Sequence, residues 1–210
     1  MPGLYWWWQR SFPTSTVHWQ RHYEHGGDSG PGSYGELATY KANLINQVVR
    51  ERGIRSIIEL GCGDGNQLSY LEVEQYIGLD ISKVAIQRCV ARYGGNPKRS
   101  FIWYDQNNFH DPLRVVSADC AMSLDVIFHL LEDDIFAAYM QNLFNCGRRF
   151  VIVYGTDEEE MQRKHVSVRL RKYSDYIAAN ISEFRVALHV ARKEGFGDFY
   201  LYERISSTAA

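Results

Sequence analysis

Residues 57–67 constrain the fold of this chain more than any other stretch. Apolar residues lead up to Glu59, and Gly61, Gly63 and Gly65 follow at alternate positions before a polar turn. Glycine accepts a positive φ and lets a ligand approach the main chain, and the first amides of a following helix face the same space. The pattern therefore predicts a buried strand, a sharp turn and a helix that together bind a nucleotide-like cofactor.

A second acid supports this interpretation. Residues 75–80 read as another strand that ends in a carboxylate, Asp80, which lies 19 positions after Gly61. An acid at the tip of the second strand can accept hydrogen bonds from both ribose hydroxyls. A dinucleotide site needs the spacing Gly-x-Gly-x-x-Gly, whereas the glycines here alternate, so an NAD-dependent oxidoreductase is disfavoured. A glycine-rich turn that binds nothing is the alternative, and the strand context argues against it.

Alternating strands and helices predict the fold class. A βαβα order implies a parallel sheet with right-handed crossovers, and the last two strands, joined by a short turn, imply an antiparallel pair. We predict strands at residues 54–60, 74–79, 100–105, 116–124, 148–154, 184–189 and 199–202, and helices at residues 34–52, 66–71, 82–94, 131–144 and 174–179.

Composition limits the function classes. The 210 residues are 45% hydrophobic, which suits one domain with a full core, and the net charge of -2 gives no general basic field for nucleic acid. The four cysteines are scattered, so we expect no metal site and no disulfide framework, and reduced thiols fit a cytoplasmic protein. No apolar run approaches the ~20 residues that a membrane span needs, so no membrane partner is expected.

The glycine and acid pattern resembles motif I and the following acid of class I S-adenosylmethionine (SAM) methyltransferases. Residues 123–130, Ser-Leu-Asp-Val-Ile-Phe-His-Leu, resemble motif IV of the same enzymes. The resemblance extends over residues 34–204 and is closest to small microbial members of mostly unassigned acceptor. It implies a three-layer αβα sandwich around a seven-stranded, mostly parallel sheet of order 3-2-1-4-5-7-6, with a C-terminal antiparallel hairpin. The implied cofactor is SAM, and the product is S-adenosylhomocysteine (SAH).

The resemblance also implies a set of cofactor-binding residues. Tyr34 and Lys41 are expected near the methionine carboxylate, and Asp105 is expected to accept the adenine amino group. Alternatively, Tyr104 stacks on the adenine and Asp105 caps a loop. The full expected set is Tyr34, Lys41, Glu59, Gly61, Cys62, Gly63, Gly65, Asp80, Ile81, Tyr104, Asp105, Leu124 and Asp125.

Motif IV is expected to face motif I across one cleft, because strands one and four flank the point where strand order reverses. His129 is our first choice for a general base and His165 the second, since the pKa of histidine lies near working pH. Phe128 is expected to contact the acceptor, and Arg169 to bind an anionic group on it. The alternatives are that His129 only lines the cleft and that Arg169 is surface charge.

The N-terminal 33 residues differ in composition from the rest. We expect residues 1–33 to form an aromatic and glycine-rich arm and flap, and residues 34–210 to form the methyltransferase domain. The rings of Trp6, Trp7, Trp8, Phe12, Trp19 and Tyr23 are predicted to pack on the domain or on a second subunit, which would make a homodimer. Residues 25–35 are predicted to close over the cofactor.

The leading hypothesis is a SAM-dependent methyltransferase acting on a small molecule, at a hydroxyl oxygen. A SAM-binding protein without turnover, serving as a partner or sensor, is the alternative. No Asn/Asp-Pro-Pro-Tyr/Phe sequence follows the fourth strand, so the resemblance to nucleobase amino methyltransferases fails. No nucleic acid is expected as a partner, because no basic stripe with interleaved aromatics extends beyond residues 163–172.

Overall fold

The structure, a computed structural model, describes residues 14–159 and 166–205. One seven-stranded sheet has the order β3-β2-β1-β4-β5-β7-β6, in which β7 runs antiparallel to both of its neighbours. The strands are β1 Ser56–Leu60, β2 Gln75–Asp80, β3 Arg99–Trp103, β4 Ala118–Leu124, β5 Gly147–Gly155, β6 Phe184–Val190 and β7 Asp198–Arg204. The predicted fold class and strand order are confirmed.

Helices cover both faces of the sheet. They are α1 Ser15–Glu24, α2 Gly35–Arg52, α3 Lys83–Tyr93, α4 Asp133–Cys146 and α5 Tyr173–Asn180, with short 3-10 segments at Pro31–Ser33, Gln67–Tyr70 and Ile127–His129. Helices α2 and α3 pack on one face and α4 and α5 on the other. Within the described residues, no helix combines the length and hydropathy that a membrane span requires.

Local signals fix where these helices begin and end. Helix α2 ends at Gly53, whose left-handed conformation (φ 58°) lets its N–H donate to the carbonyl of Val49. Helix α3 begins after Ser82, whose hydroxyl accepts from the N–H of Ala85. Both boundaries match the sequence predictions. Helix α1 was not predicted, although Thr14 caps it by accepting from the N–H of Val17.

Strand β1 lies at the centre of the sheet and positions the site. It pairs with β2 on one side and with β4 on the other, so the direction of strand order changes between β1 and β4. Ligands of open α/β sheets bind at the carboxyl ends of the strands beside this point. Gly61 follows β1 and Asp125 follows β4, which brings the two motifs to one edge of the sheet.

Helix α4 is hydrogen-bonded to the carboxyl ends of two central strands. The hydroxyl of Tyr139 donates to the carbonyl of Leu60 (2.8 Å) and lies 2.7 Å from Oγ of Ser123, so one side chain ties α4 to the ends of β1 and β4. Met140, next to it, is fully buried in the same core.

Replacing Met140 by alanine should lower the free energy of unfolding by about 2–5 kcal/mol, because a buried side chain is lost and its cavity is only partly refilled. Urea denaturation followed by circular dichroism measures the change. The exposed neighbour Gln141→Ala is the control and should change it by less than about 0.5 kcal/mol. Equal effects of the two variants would contradict the assigned packing of α4.

Candidate cofactor and acceptor site

The turn after β1 requires glycine. Gly61 and Gly63 have φ angles of 83° and 56°, which residues other than glycine rarely adopt. A Cβ on Gly63 would also lie 2.2 Å from Oγ of Ser29, and one on Gly61 would lie 2.5 Å from a methyl group of Val126. Glycine at these two positions therefore lets residues 29–33 and the segment after β4 pack directly against the backbone of the turn.

Asp80 connects this turn to the tip of β2. Its two carboxylate oxygens accept hydrogen bonds from the N–H groups of Gly63 (2.9 Å) and Ser82 (2.8 Å). Burial raises the pKa of the Asp80 carboxyl to about 6, although these backbone hydrogen bonds oppose the shift. The carboxylate thus orders the glycine turn and faces the same cavity.

A cavity of about 450 Å³ lies at the carboxyl ends of β1, β2 and β4. Most of the residues predicted from the sequence line it. They are Glu59, Gly61, Cys62, Gly63, Asp80, Ile81, Tyr104, Leu124, Asp125, Phe128 and His129. Residues of motifs I and IV therefore line the same cavity. Their positions at the ends of the neighbouring strands β1 and β4 account for this.

Glu59 is the buried acid of this wall. The hydroxyl of Tyr76 donates to its carboxylate. Burial raises the pKa of Glu59 to about 7, and the hydrogen bond from Tyr76 and the charge of Lys41 reduce the effect. Glu59 therefore titrates near neutral pH at the edge of the cavity.

Lys41 does not line the cavity but lies behind it. Its buried ammonium forms an ion pair with the Asp125 carboxylate (2.6 Å). Asp125 adopts a left-handed conformation (φ 58°), which aspartate tolerates better than most residues. Asp125 lines the cavity, and the charge of Lys41 neutralises that of Asp125. A contact of Lys41 with the cofactor, as predicted from the sequence, would lie at the end of the cavity that Asp125 lines.

Tyr34 lies outside the cavity because its hydroxyl donates to Asp64 (2.6 Å). Asp64 also accepts from the N–H of Ser29 (3.2 Å), and its own N–H donates to the Ser29 hydroxyl (2.9 Å). Burial opposes ionisation of Asp64, but the hydrogen bonds outweigh it and lower its pKa. Tyr34 thus attaches residues 29–33, which line the cavity, to the glycine turn.

Gly65 and Asp105 also lie outside the cavity. A Cβ on Gly65 would meet Cys89 and Tyr93 of α3, so this glycine permits close packing of helix and turn. The carboxylate of Asp105 accepts from the backbone N–H of Asn107 (3.0 Å) and from Nδ2 of Asn108 (2.7 Å). Asp105 therefore caps a turn, the alternative to an adenine contact, and its neighbour Gln106 lines the cavity.

Arg169 is occupied by protein groups. Its guanidinium donates to the carbonyl of Leu131 (2.8 Å) and pairs with Asp133 (2.9 Å), while its backbone N–H donates to the carbonyl of Phe128 (2.8 Å). The predicted anion clamp is therefore replaced by a structural role, in which Arg169 fixes residues 167–171 to the segment after β4. His165 lies outside the described residues.

His129 is half-buried and lines the cavity beside Phe128. Its Nδ1–H donates to the carbonyl of Ser167 (3.0 Å), and its ring packs edge-on against Trp19 at 4.6 Å. A carbonyl can only accept, so this hydrogen bond places the proton on Nδ1 and the lone pair on Nε2. Burial lowers the pKa of His129 below its usual value, which favours the neutral ring.

Helix α1 supplies a wall of the cavity that sequence reasoning missed. Ser15, Trp19 and Tyr23 line the cavity. The Ser15 backbone N–H donates to Glu132 (3.0 Å), which docks the helix on the segment that carries His129. The available signal was the cap residue Thr14 followed by aromatic residues four positions apart.

Comparison with known proteins agrees with this geometry. The family model described as a methyltransferase domain matches residues 58–152. The matched residues run from β1 to β5 and include the glycine turn, Asp80 and Asp125, so this part of the chain is similar to a methyltransferase domain. Its fold matches the magnesium protoporphyrin IX methyltransferase of Synechocystis PCC 6803 with bound SAM at a TM-score of 0.65, with 13% identity over 93% of this chain and 99% of that chain.

A second similar structure is the N-methyltransferase NodS of Bradyrhizobium japonicum WM9 in complex with SAH. The TM-score is 0.72, with 12% identity over 91% of this chain and 99% of that chain. At such identities the two structures establish the fold, and both contain SAM or its demethylated product.

A curated relative is the mRNA cap guanine-N(7) methyltransferase 1 of Oryza sativa subsp. japonica. It is 30% identical over 122 residues, which cover 55% of this chain. The chain spans only 30% of the length of that relative.

The residues present fit SAM. The backbone of Gly61 and Gly63 lines the cavity, and the Asp80 carboxylate faces it at the strand tip. Oε1 of buried Gln67, which also lines the cavity, lacks a hydrogen-bond donor among the described residues. An unsatisfied buried acceptor costs roughly 1–3 kcal/mol, which a bound ligand can recover. Within residues 14–159 and 166–205, no three His, Cys, Asp or Glu side chains form a metal-binding group.

The affinity for SAH should fall as the pH decreases below about 6, the pKa of Asp80, because protonation removes the carboxylate acceptor. The loss should approach tenfold per pH unit below the pKa. Isothermal titration calorimetry between pH 5 and pH 8 measures it. Asp80→Asn should bind weakly and show no such pH dependence, and a variant that kept both the affinity and the pH dependence would refute this role.

Proposed function

We propose that the methyltransferase domain transfers a methyl group from SAM to a hydroxyl oxygen of a small-molecule acceptor, with His129 as the general base. One observation carries the proposal: a half-buried histidine with its proton held on Nδ1 lines the same cavity as the glycine turn. A neutral imidazole with a lone pair on Nε2 is the form that can take a proton from a hydroxyl.

Each region of the cavity wall would contact a different part of the cofactor. Asp80 would bind the ribose hydroxyls, because it ends the strand beside the glycine turn. Ile81, Tyr104 and Gln106, which lie beyond it at the ends of β2 and β3, would surround the adenine. The methionine part would then extend towards Asp125 and its partner Lys41.

SAM supplies a methyl group that is already activated by the positive sulfur. The residues of the chain have three tasks, which are to align the acceptor at about 3–3.5 Å from the methyl carbon, to exclude water and to accept the proton. Trp19, Phe128 and Leu130 form an apolar wall around His129 and would exclude water from the acceptor side. His129 would take the proton as the new bond forms.

A small acceptor is supported by the enclosure of this side. Helix α1 contributes Trp19 to the wall beside His129, so the acceptor would enter a cleft bounded by aromatic rings. Such a cleft suits a planar, apolar molecule that carries a hydroxyl group. The likeness to an mRNA cap methyltransferase makes a guanine-containing acceptor the competing outcome, and capped RNA therefore belongs in the acceptor screen.

Replacing His129 by glutamine should lower kcat by about 10²- to 10⁴-fold with a hydroxyl acceptor, because glutamine cannot take the proton. The measurement is SAH release from SAM with pooled hydroxylated metabolites and with capped RNA. The exposed His110→Gln is the matched control and should retain wild-type rates. An unchanged kcat in His129→Gln would contradict the assignment of the base.

The pH profile gives a separate test of His129. The base acts in its neutral form and its pKa is lowered from the usual value of about 6.5, so kcat/KM for the acceptor at saturating SAM, where protonation of Asp80 does not limit the rate, should stay high through pH 6.5 and fall only at lower pH. An acid limb centred above pH 6.5 would contradict the assigned environment of the imidazole.

A SAM-binding partner or sensor protein predicts a different result. It would bind SAH in calorimetry but release none from SAM with any acceptor in the screen. That outcome would overturn the proposed catalytic function and leave the cofactor site intact.

A further inference from the structure

Gln67 occupies a distinctive place beside the glycine turn. It continues the alternate spacing of Gly61, Gly63 and Gly65, and it begins the short 3-10 helix Gln67–Tyr70. The residue is only 4% exposed, yet it lines the cavity. A polar side chain buried in a cofactor cavity needs hydrogen-bond partners for both ends of its amide.

One end of the Gln67 amide has its partner. Nε2 donates to the carbonyl of Ala38 in α2 (3.0 Å). This contact fixes the orientation of the amide, because the opposite orientation would set two acceptor oxygens against each other. Oε1 is buried, and no donor reaches it from residues 14–159 and 166–205. The atom of Gln67 that lacks a partner among the described residues is therefore a hydrogen-bond acceptor.

The position of Gln67 indicates which part of the cofactor it meets. Asp80, Tyr104 and Gln106 lie at the ends of β2 and β3, on the side assigned to the ribose and the adenine. Gln67 instead contacts α2, whose Leu37 also lines the cavity. Helix α2 holds Lys41 one turn further on, paired with Asp125. This end of the cavity is the one left for the methionine part.

We infer that Oε1 of Gln67 accepts a hydrogen bond from the α-ammonium group of the methionine part of the cofactor. That group is a pure donor, whereas the neighbouring α-carboxylate is a pure acceptor and cannot satisfy Oε1. Asp125 is already paired with Lys41 at 2.6 Å, so a neutral amide oxygen remains as an acceptor for the ammonium. The inference deepens the proposed function and rests on its SAM cofactor.

The test compares SAH with 5′-methylthioadenosine, which keeps the adenosine and the thioether but lacks the amino-acid group. Calorimetry is run on the wild-type chain and on Gln67→Met, which keeps the length of the side chain and removes both Oε1 and the Nε2 donor to Ala38. A hydrogen bond to a charged group predicts a loss of roughly tenfold or more in the affinity for SAH. The affinity for 5′-methylthioadenosine should change by less than about twofold, within the effect expected of an uninvolved residue.

Exposed Ser69→Ala, in the same short helix, is the matched control and should change neither affinity. Equal losses for both ligands in Gln67→Met would overturn the inference, because they would mean that Gln67 acts only on the shape of the turn. An unchanged affinity for SAH would also overturn it, since Oε1 would then be satisfied by water or by nothing.

A second variant covers the case in which Gln67→Met does not fold. Gln67→Glu keeps one oxygen as an acceptor for the cofactor but sets the other against the Ala38 carbonyl. It should therefore bind SAH more weakly than the wild-type chain but still prefer SAH over an SAH analogue that lacks the α-amino group. Loss of this preference would contradict the inference. Failure of the wild-type chain to bind either SAH or 5′-methylthioadenosine would instead refute the cofactor assignment, so the two failures are distinguishable.

Discussion

The site depends on one buried carboxylate. Asp80 accepts hydrogen bonds from the amides of Gly63 and Ser82, and so it holds the turn after β1 against the tip of β2. A buried charge is tolerated only with such partners, and the incomplete compensation appears as a raised pKa. The same constraint keeps the glycine backbone in its left-handed conformation and leaves it open to a ligand.

The acceptor side is built differently, from segments far apart in the sequence. Ser15 docks α1 on Glu132, and Ser167 and Arg171 bind the segment after β4 through His129 and the Leu130 carbonyl. The wall around His129 therefore exists only when three separate parts of the chain meet. The contacts of Asp80 with Gly63 and Ser82, in contrast, involve none of these three parts.

This difference explains what the sequence could predict. Strand order, the glycine turn and Asp80 follow from local patterns, because the backbone conformation and the strand ends dictate those residues. Arg169 and Asp105 could not be placed, since their partners Asp133 and Asn108 compete with a ligand in ways that spacing does not reveal. Helix α1 was missed because its polar residues and aromatic rings give a weak helical pattern.

The central claim is that the glycine turn and Asp80 hold the adenosyl part of SAM. A crystal structure of the chain with SAH tests it most directly. The account predicts electron density for the ribose within hydrogen-bonding distance of the Asp80 carboxylate and for the thioether between the turn after β1 and Asp125. SAH bound elsewhere, or a ribose that does not contact Asp80, would contradict it.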